Sequence, residues 1–139
     1  MVEHDFSRVP WPAVVAGERA DGLWQHTCFE AFIPTGDGYL EFNMSPSCQW
    51  ASYHFESYRS GMKPAEAQVA VRLQDGDEDY IVIEADLDLP PKAAFIGLSA
   101  VIEDIEGNIS YWALAHAPGK PDFHHPDSFA LVLPAPELP

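Results

Sequence analysis

Turn-forming residues interrupt the chain at short intervals, and this spacing limits the elements that it can form. Thirteen prolines are spread through the sequence, and proline breaks a helix because it lacks the backbone N–H and clashes with the preceding turn. Gly36-Asp37-Gly38, Asp75-Gly76-Asp77 and Glu106-Gly107-Asn108 are typical hairpin turns. Short runs of β-branched and aromatic residues lie between them. The chain is therefore expected to be all-β, without long helices.

Eight strands are predicted from apolar or alternating runs between these turns. They cover Thr27–Ile33, Tyr39–Met44, Gln49–Phe55, Ala67–Leu73, Tyr80–Ala85, Phe95–Glu103, Ser110–Leu114 and Phe129–Leu133. Ser57–Met62 has a pattern that allows one helical turn. Many short strands at this spacing are typical of an antiparallel β-sandwich, of jelly-roll or immunoglobulin-like type. The length of 139 residues suits one domain, which we place at residues 1–133, with a C-terminal tail at residues 134–139.

Alternation along the strands assigns the core, because successive side chains point to opposite faces of a sheet. In Tyr39–Met44, Leu40, Phe42 and Met44 form one apolar face. The same rule places further residues in the core: Phe29, Ala31, Ile33, Val69, Val71, Leu73, Ile81, Ile83, Ile96, Leu98, Ala100 and Ile102.

The other face of these strands is polar. Glu30, Glu41, Asn43 and Arg72 all point away from the predicted core, and they share one surface if their strands adjoin. Hydrogen-bonding groups on a rigid sheet suit hydroxyl-rich ligands, which need both donors and acceptors. The alternative interpretation is a solvated sheet face with incidental ion pairs.

Two aromatic residues lie in predicted loops. Trp24 precedes the first strand and Phe123 precedes the last. A flat ring on a rigid turn can stack on the C–H face of a sugar while polar neighbours orient the ligand. Each ring could instead seal the end of the sandwich. Trp11, Trp50 and Trp112 lie in or beside strand-like segments and are predicted to be packing residues.

The charge balance excludes some partners. Seven basic residues stand against 22 acidic ones, giving a net charge of −15. Nucleic acids and anionic membranes attract basic surfaces, so neither is an expected partner; a neutral sugar or a cation fits better, and acidity also favours solubility. No apolar run approaches the roughly 20 residues of a membrane span. Met1–Pro10 lacks the features of a signal peptide, which favours a cytoplasmic location unless the native chain begins further upstream.

Cysteine usage leaves one question open. Cys28 lies in an apolar strand-like run, where a buried free thiol is the ordinary interpretation. A disulfide with Cys48 is also possible, because the sequence does not fix the distance between their Cα atoms.

Three segments resemble DOMON-like domains related to family 9 carbohydrate-binding modules. They are Asp21–Ile33 (DGLWQHTCFEAFI), Gly38–Ser47 with Gln49–Tyr53 (GYLEFNMSPS and QWASY), and Asp122–Phe129 (DFHHPDSF). The likeness extends over residues 21–133. It implies a jelly-roll-like sandwich, and it also implies one or two additional strands before Trp24, so the first strands of the domain could be missing here.

In the sugar-binding members of that group, two aromatic rings hold a terminal sugar and polar sheet residues bind its hydroxyls. The resemblance matches Trp24 to the first ring, Glu30 to the carboxylate that follows, and Asn43 to a polar position on the next strand. Phe123 falls where the second ring, usually tryptophan, lies. The group also includes haem binders. A non-catalytic carbohydrate-binding module without a cofactor is therefore the leading hypothesis.

Metal and haem binding are the alternatives. Imidazole and carboxylate groups concentrate in one loop-rich segment, which could hold zinc in a metal-dependent enzyme. The residues concerned are His116, Asp122, His124, His125 and Asp127. Their spacing matches no familiar zinc motif. For haem, Met44 or His116 could serve as axial ligand.

Direct evidence of catalysis is weak. Ser45-Pro46-Ser47 lacks the glycine pattern of a nucleophile elbow. Glu30 and Glu41 could form a glycosidase pair if suitably spaced, since that reaction uses two carboxyl groups flanking the bond. Facing carboxylates also occur at sugar-binding sites, so the protein is not expected to be an enzyme.

Overall fold

Strands account for nearly all the regular structure of this protein. The computed structural model describes residues 11–76 and 80–133, so Met1–Pro10 and the predicted tail at residues 134–139 lie outside the described residues. Within these ranges the strands are β1 (Cys28–Thr35), β2 (Gly38–Met44), β3 (Trp50–Phe55), β4 (Lys63–Pro64), β5 (Val69–Gly76), β6 (Ile81–Leu87), β7 (Phe95–Glu103), β8 (Ile109–Ala113) and β9 (Leu131–Val132). Two short 3-10 turns cover Leu23–Gln25 and Pro126–Ser128.

The strands form two antiparallel sheets. The large sheet has the order β4-β3-β2-β1-β7-β8, and β9 pairs with the start of β7. β5 and β6 pair with each other as a hairpin that forms the second sheet. Apolar residues of the hairpin pack on one face of the large sheet. The predicted all-β antiparallel sandwich is confirmed, whereas its jelly-roll character stays a prediction. None of the helices in the described ranges is long and apolar enough to cross a membrane.

The core between the two sheets follows the predicted alternation in the central strands. Ala31, Ile33 and Phe42 are completely buried. Leu73 and Leu98 were also predicted to be buried, but they are 43% and 36% exposed. Leu73 lies beside a break in the β5–β6 register. Leu98 pairs with Ala31 and so shares its face, but a two-stranded sheet is too narrow to cover all of a seven-stranded one.

Local structure differs from prediction in three places. Ser57–Met62 contains a tight turn closed by a bridge between Ser57 and Ser60, and no helical turn. The short strand β4 follows it and was not predicted. The last predicted strand shortens to β9, because Phe129 ends a 3-10 turn and its N–H donates to the carbonyl of Pro126.

The other face of the large sheet is also buried. A second cluster there contains Phe32, Tyr39, Ala51, Tyr53, Phe55, Val101 and Phe123. Residues 117–129, called the covering loop below, supply Phe123 and also Phe129, whose ring stacks on Phe32 at 6.0 Å between centroids. The alternative interpretation of a solvated sheet face therefore does not apply to Glu30, Glu41 and Asn43, which are buried beside this loop.

Gly38 starts β2 in a conformation that only glycine adopts easily. Its φ is 136°, and an added Cβ would lie 1.8 Å from the carbonyl oxygen of Phe55 on β3. Gly36, in the same hairpin turn, has open space around its Cβ position.

Gly38→Ala is therefore expected to destabilise the protein by about 2 kcal/mol or more, because the chain must shift a central strand pair or accept backbone strain. Gly36→Ala is the matched control and should change stability by less than about 0.5 kcal/mol. Urea unfolding of both variants measures the difference. Equal stabilities would show that β2 and β3 do not approach each other this closely.

Candidate ligand pocket

A pocket opens on the second face of the large sheet, beside the covering loop. Its volume is about 400 Å³, within the range of about 300–1,000 Å³ that is usual for small-molecule sites. Strands β1, β2, β3, β7 and β8 contribute to it, together with the turn after β3. It is lined by Trp24, Glu30, Glu41, Phe55, Arg59, Met62, Val101, Tyr111, Pro121, Phe123 and His124.

A row of polar side chains crosses the sheet at the pocket. Glu30 of β1 lies opposite Asn43 of β2 and opposite Ser99 of β7. Glu41 is two residues from Asn43 and points to the same face. Glu30 and Glu41 are 6% and 4% exposed, so both carboxyl groups are withdrawn from bulk water. This sheet face forms the floor of the pocket.

Glu41 begins a chain of hydrogen bonds that runs through the covering loop. His124 Nε2 lies 3.2 Å from Glu41 Oε1, and His124 Nδ1 lies 2.7 Å from the Tyr39 hydroxyl. That hydroxyl already accepts from the Arg59 backbone N–H at 3.0 Å. Its own hydrogen can then be donated to Nδ1, an arrangement in which the imidazole is neutral and donates through Nε2 to Glu41.

Aromatic rings enclose this imidazole. The Phe32 and Phe55 rings meet it edge-on at 4.9 and 5.0 Å between centroids. Burial lowers the pKa of His124 to about 4, with a further contribution from the Arg59 charge. The neutral tautomer assigned from the hydrogen bonds is thus also the form that burial favours.

The two floor carboxyl groups hold their protons to unusually high pH. Burial, and then the neighbouring Glu41 carboxylate, raise the pKa of Glu30 to about 8. Burial likewise raises the pKa of Glu41 to about 7, while Asn43 and Arg59 oppose the rise. Near neutral pH the pair therefore carries less than its full double charge.

Arg59 is the one arginine or lysine among the residues that line the pocket, and its guanidinium pairs with Asp122. Its Nη2 lies 2.9 Å from Asp122 Oδ1. The Tyr58 hydroxyl donates to the other oxygen of Asp122, and Oδ1 also accepts from the His124 backbone N–H at 3.2 Å. This cluster fixes the covering loop to the turn after β3.

Several buried polar atoms on the floor have no partner. Asn43 Oδ1 and Ser99 Oγ are buried and lack hydrogen-bonding geometry with described residues, whereas the Asn43 amide interacts with the Glu41 carboxyl closely enough to lower its pKa. The Glu30 carboxyl differs from these atoms because it lines the cavity, where a ligand could reach it, and no described residue forms an ion pair with it. Buried polar groups are ordinarily paired, so unused hydrogen-bonding capacity is concentrated next to the cavity.

Two exposed rings lie along the pocket walls. Trp24, on the first 3-10 turn, is 40% exposed and meets Tyr53 edge-on at 6.0 Å. Tyr111 of β8 is 49% exposed and meets Phe123 edge-on at 6.0 Å. Phe123 itself is only 7% exposed. Trp24 and Tyr111 therefore offer more ring surface to a ligand than Phe123 does.

Four of the six residues predicted from the sequence meet at this pocket. Trp24, Glu30, Glu41 and Phe123 line it. Asn43 shares the floor but is completely buried beside the lining residues. The contributions of Arg59, Tyr111 and His124 were not predicted as parts of a binding site. His124 was noticed only as a candidate metal ligand.

The placement of Arg72 on this polar face was wrong. Arg72 lies on β5, in the smaller sheet, where its side chain pairs with Glu84 at 3.4 Å and Asp86 at 2.9 Å. A residue that points outward from β5 points away from the large sheet. The prediction failed because it assumed that β5 adjoins β1 and β2.

The histidine segment does not converge on one point. His125 Nδ1 accepts from the Asp127 N–H at 3.1 Å and caps a 3-10 turn. His116 lies against the Phe123 ring at 6.1 Å, whereas His124 faces Glu41. Within residues 11–76 and 80–133, no group of three or more His, Cys, Asp or Glu side chains is arranged to hold a metal.

The structure also places the candidate haem ligand Met44, the two cysteines and the tryptophans that were predicted to be packing residues. Met44, a candidate haem ligand, lies in the core between the sheets, on the face of β2 opposite the pocket. Cys28 and Cys48 are both buried and free. Trp50 is a core residue, and Trp11 and Trp112 pack on Ala100 and Ile102, as predicted.

The chain was also compared with known proteins. It matches no protein-family model, no curated protein and no solved structure. The relation to DOMON-like domains accordingly stays a prediction.

Proposed function

We propose that the protein is a non-catalytic module that binds a small hydroxyl-rich ligand, such as a sugar or the end of a glycan, in this pocket. The observation that carries the proposal is the combination of an exposed Trp24 ring with an unpaired Glu30 carboxyl in the same cavity. A ring stacks on the C–H face of a sugar, and a carboxyl binds its hydroxyls.

The protonation of the floor supports this assignment. A sugar hydroxyl both donates and accepts hydrogen bonds. Because Glu30 holds its proton near neutral pH, its carboxyl also offers a donor and an acceptor. The hydroxyl groups of a sugar can thus form hydrogen bonds with the floor residues, and no charged group on the ligand is needed. The resemblance of residues 21–33 and 122–129 to sugar-binding relatives agrees with this proposal.

Trp24→Ala is expected to abolish measurable sugar binding and to leave the protein folded. The wild-type Kd should lie roughly in the micromolar to millimolar range, because a shallow site must offset the cost of association. Titration calorimetry against mono- and oligosaccharides measures this loss. Phe95→Ala is the matched control, since Phe95 is 46% exposed and lies outside the pocket. Unchanged affinity in Trp24→Ala would overturn the proposal.

A second candidate function is hydrolysis of the bound glycan. It is favoured by one observation, the presence of two buried carboxyl groups with raised pKa on a single floor. Turnover of nitrophenyl glycosides that is lost in Glu41→Gln would support hydrolysis. Binding without any turnover would leave the binding module as the better assignment.

A further inference from the structure

Among the residues that the structure describes, no lysine or arginine forms an ion pair with the two acidic groups of the pocket floor. Glu30 and Glu41 lie side by side on the sheet, and His124, which contacts Glu41, is neutral. Arg59 lies close enough to lower the pKa of both carboxyl groups, but its guanidinium pairs with Asp122 at the rim. Among the described residues, no ammonium or guanidinium group forms an ion pair with Glu30.

The Glu30 carboxyl is the floor group with which a ligand in the cavity would interact most directly. It is 6% exposed, it lines the cavity, and no described residue donates a hydrogen bond to it. A carboxylate in such surroundings is costly unless a counter-charge accompanies it. The negative charge of this carboxylate can be neutralised by a proton, or compensated by a cationic group of a bound ligand.

The aromatic rings at the pocket add to the attraction for a cation. The ring faces of tryptophan and tyrosine carry negative electrostatic potential, and they bind ammonium groups within about 6 Å. Trp24 and Tyr111 are the exposed rings here. Neutral sugars would also stack on these rings, so it is the acidic floor that distinguishes an amine from a neutral ligand.

We infer that the ligand is a hydroxyl-rich molecule with a free primary amine, of the amino-sugar class, whose ammonium group binds the Glu30 carboxylate at the pocket floor. This inference rests on the proposed function and narrows its ligand class. A primary ammonium donates three hydrogen bonds, and carboxylate oxygens and the unpaired Asn43 Oδ1 are acceptors on this floor.

Binding of the amine should release a proton. The protonated Glu30 carboxyl gives its proton to the buffer when the ammonium arrives, and the complex then contains a carboxylate and an ammonium. Other titratable or charged groups share this face or lie near it, and each contributes to the local potential. They are Cys28 on β1, Tyr39 and Glu41 on β2, Tyr53 on β3, Arg59 in the turn after β3, Tyr111 on β8, and Asp122 and His124 in the covering loop.

The test compares matched sugars at pH 7 by titration calorimetry. Glucosamine, glucose and N-acetylglucosamine form one set, and galactosamine with galactose forms a second. We expect at least one free amine to bind about tenfold more tightly than its neutral counterpart, and acetylation to remove the advantage. Repeating the titration in two buffers with different ionisation enthalpies should show net release of protons when the amine binds.

Two variants locate the effect. Glu30→Gln should bind the amine and its neutral counterpart with the same affinity as each other, since glutamine keeps hydrogen-bonding groups but carries no charge. Glu84→Gln is the same substitution in the other sheet, where Glu84 pairs with Arg72, so it should keep the preference. This control separates a specific contact from the general attraction of an acidic protein for cations.

The outcomes distinguish the two proposals. Equal affinity for amine and neutral sugars, or binding without proton release, would overturn the amine inference and leave the sugar-binding function standing. No binding of any sugar would overturn both. An amine preference that survives in Glu30→Gln would also overturn the assignment. The proton count in the wild-type protein decides the matter even if Glu30→Gln fails to fold.

Discussion

Replacing Phe42 by alanine is expected to lower the free energy of unfolding by about 3–5 kcal/mol. Phe42 lies on β2 with no exposed surface, in the core between the large sheet and the β5–β6 hairpin. The substitution removes a buried ring and leaves a cavity that neighbouring strands cannot fill, because their backbones are held by hydrogen bonds. Urea unfolding at neutral pH measures the change.

Trp24→Ala supplies the comparison for this prediction. The Trp24 ring is 40% exposed, and it packs against Tyr53 at the edge of the second cluster. Its removal is expected to cost much less stability than the removal of Phe42. If the two variants are equally destabilised, Trp24 is a core residue that seals the sandwich, and its assignment to a ligand site fails.

The stability of the protein is expected to decrease as the pH rises between about 6.5 and about 8. In the folded protein, burial raises the pKa of Glu30 from 4.5 to about 8 and that of Glu41 from 4.5 to about 7. The folded state thus holds these protons more tightly than the unfolded chain. As they are lost, the fold loses stability on the order of a few kcal/mol.

His124 acts in the opposite direction at lower pH. Its pKa falls from 6.5 to about 4 on folding, so the unfolded chain binds this proton first, and the histidine contribution to stability decreases on acidification below pH 6.5. The two glutamates outweigh this single histidine, because both bind their protons more tightly in the folded state. Between these two histidine pKa values, the histidine and glutamate contributions to the pH dependence of stability have opposite signs. Above 6.5 the histidine is neutral in both states, and the glutamates decide the slope.

Glu30→Gln tests the origin of this slope. The variant cannot ionise at residue 30, so its stability should vary less with pH across the range than that of the wild-type protein. Glu84→Gln, in the other sheet, should retain the wild-type slope. Urea unfolding at several pH values provides the data. An unchanged slope in Glu30→Gln would mean that the Glu30 carboxyl is hydrated in the folded protein.

Much of the architecture could be predicted because alternation is a local property. The inward positions of β1 and β2, such as Ala31 and Phe42, follow from neighbouring residues alone. The order of strands does not, because it depends on contacts between distant segments. Arg72 shows the consequence, since its outward orientation on β5 was recognised and its sheet was not.

The candidate site divides in the same way. Glu30 and Glu41 were identified because an acidic residue interrupts an apolar pattern on each strand. The burial of their carboxyl groups could not be predicted, because residues 117–129 must first fold back across the sheet. Only that arrangement brings His124 to Glu41 and Asp122 to Arg59, and no local pattern in the sequence specifies the pairs.

Alternate positions along β1 face two different environments. On β1, Ala31 and Ile33 pack in the core between the sheets, while Glu30 and Phe32 face the pocket side. Substitutions at one set of positions can thus alter the ligand that is accepted without disturbing the packing that holds the sheets together. The odd-numbered residues Ala31 and Ile33 of β1 hold the two sheets together, whereas Phe32 holds the covering loop and Glu30 contacts the ligand, so one strand supports two cores and a recognition site.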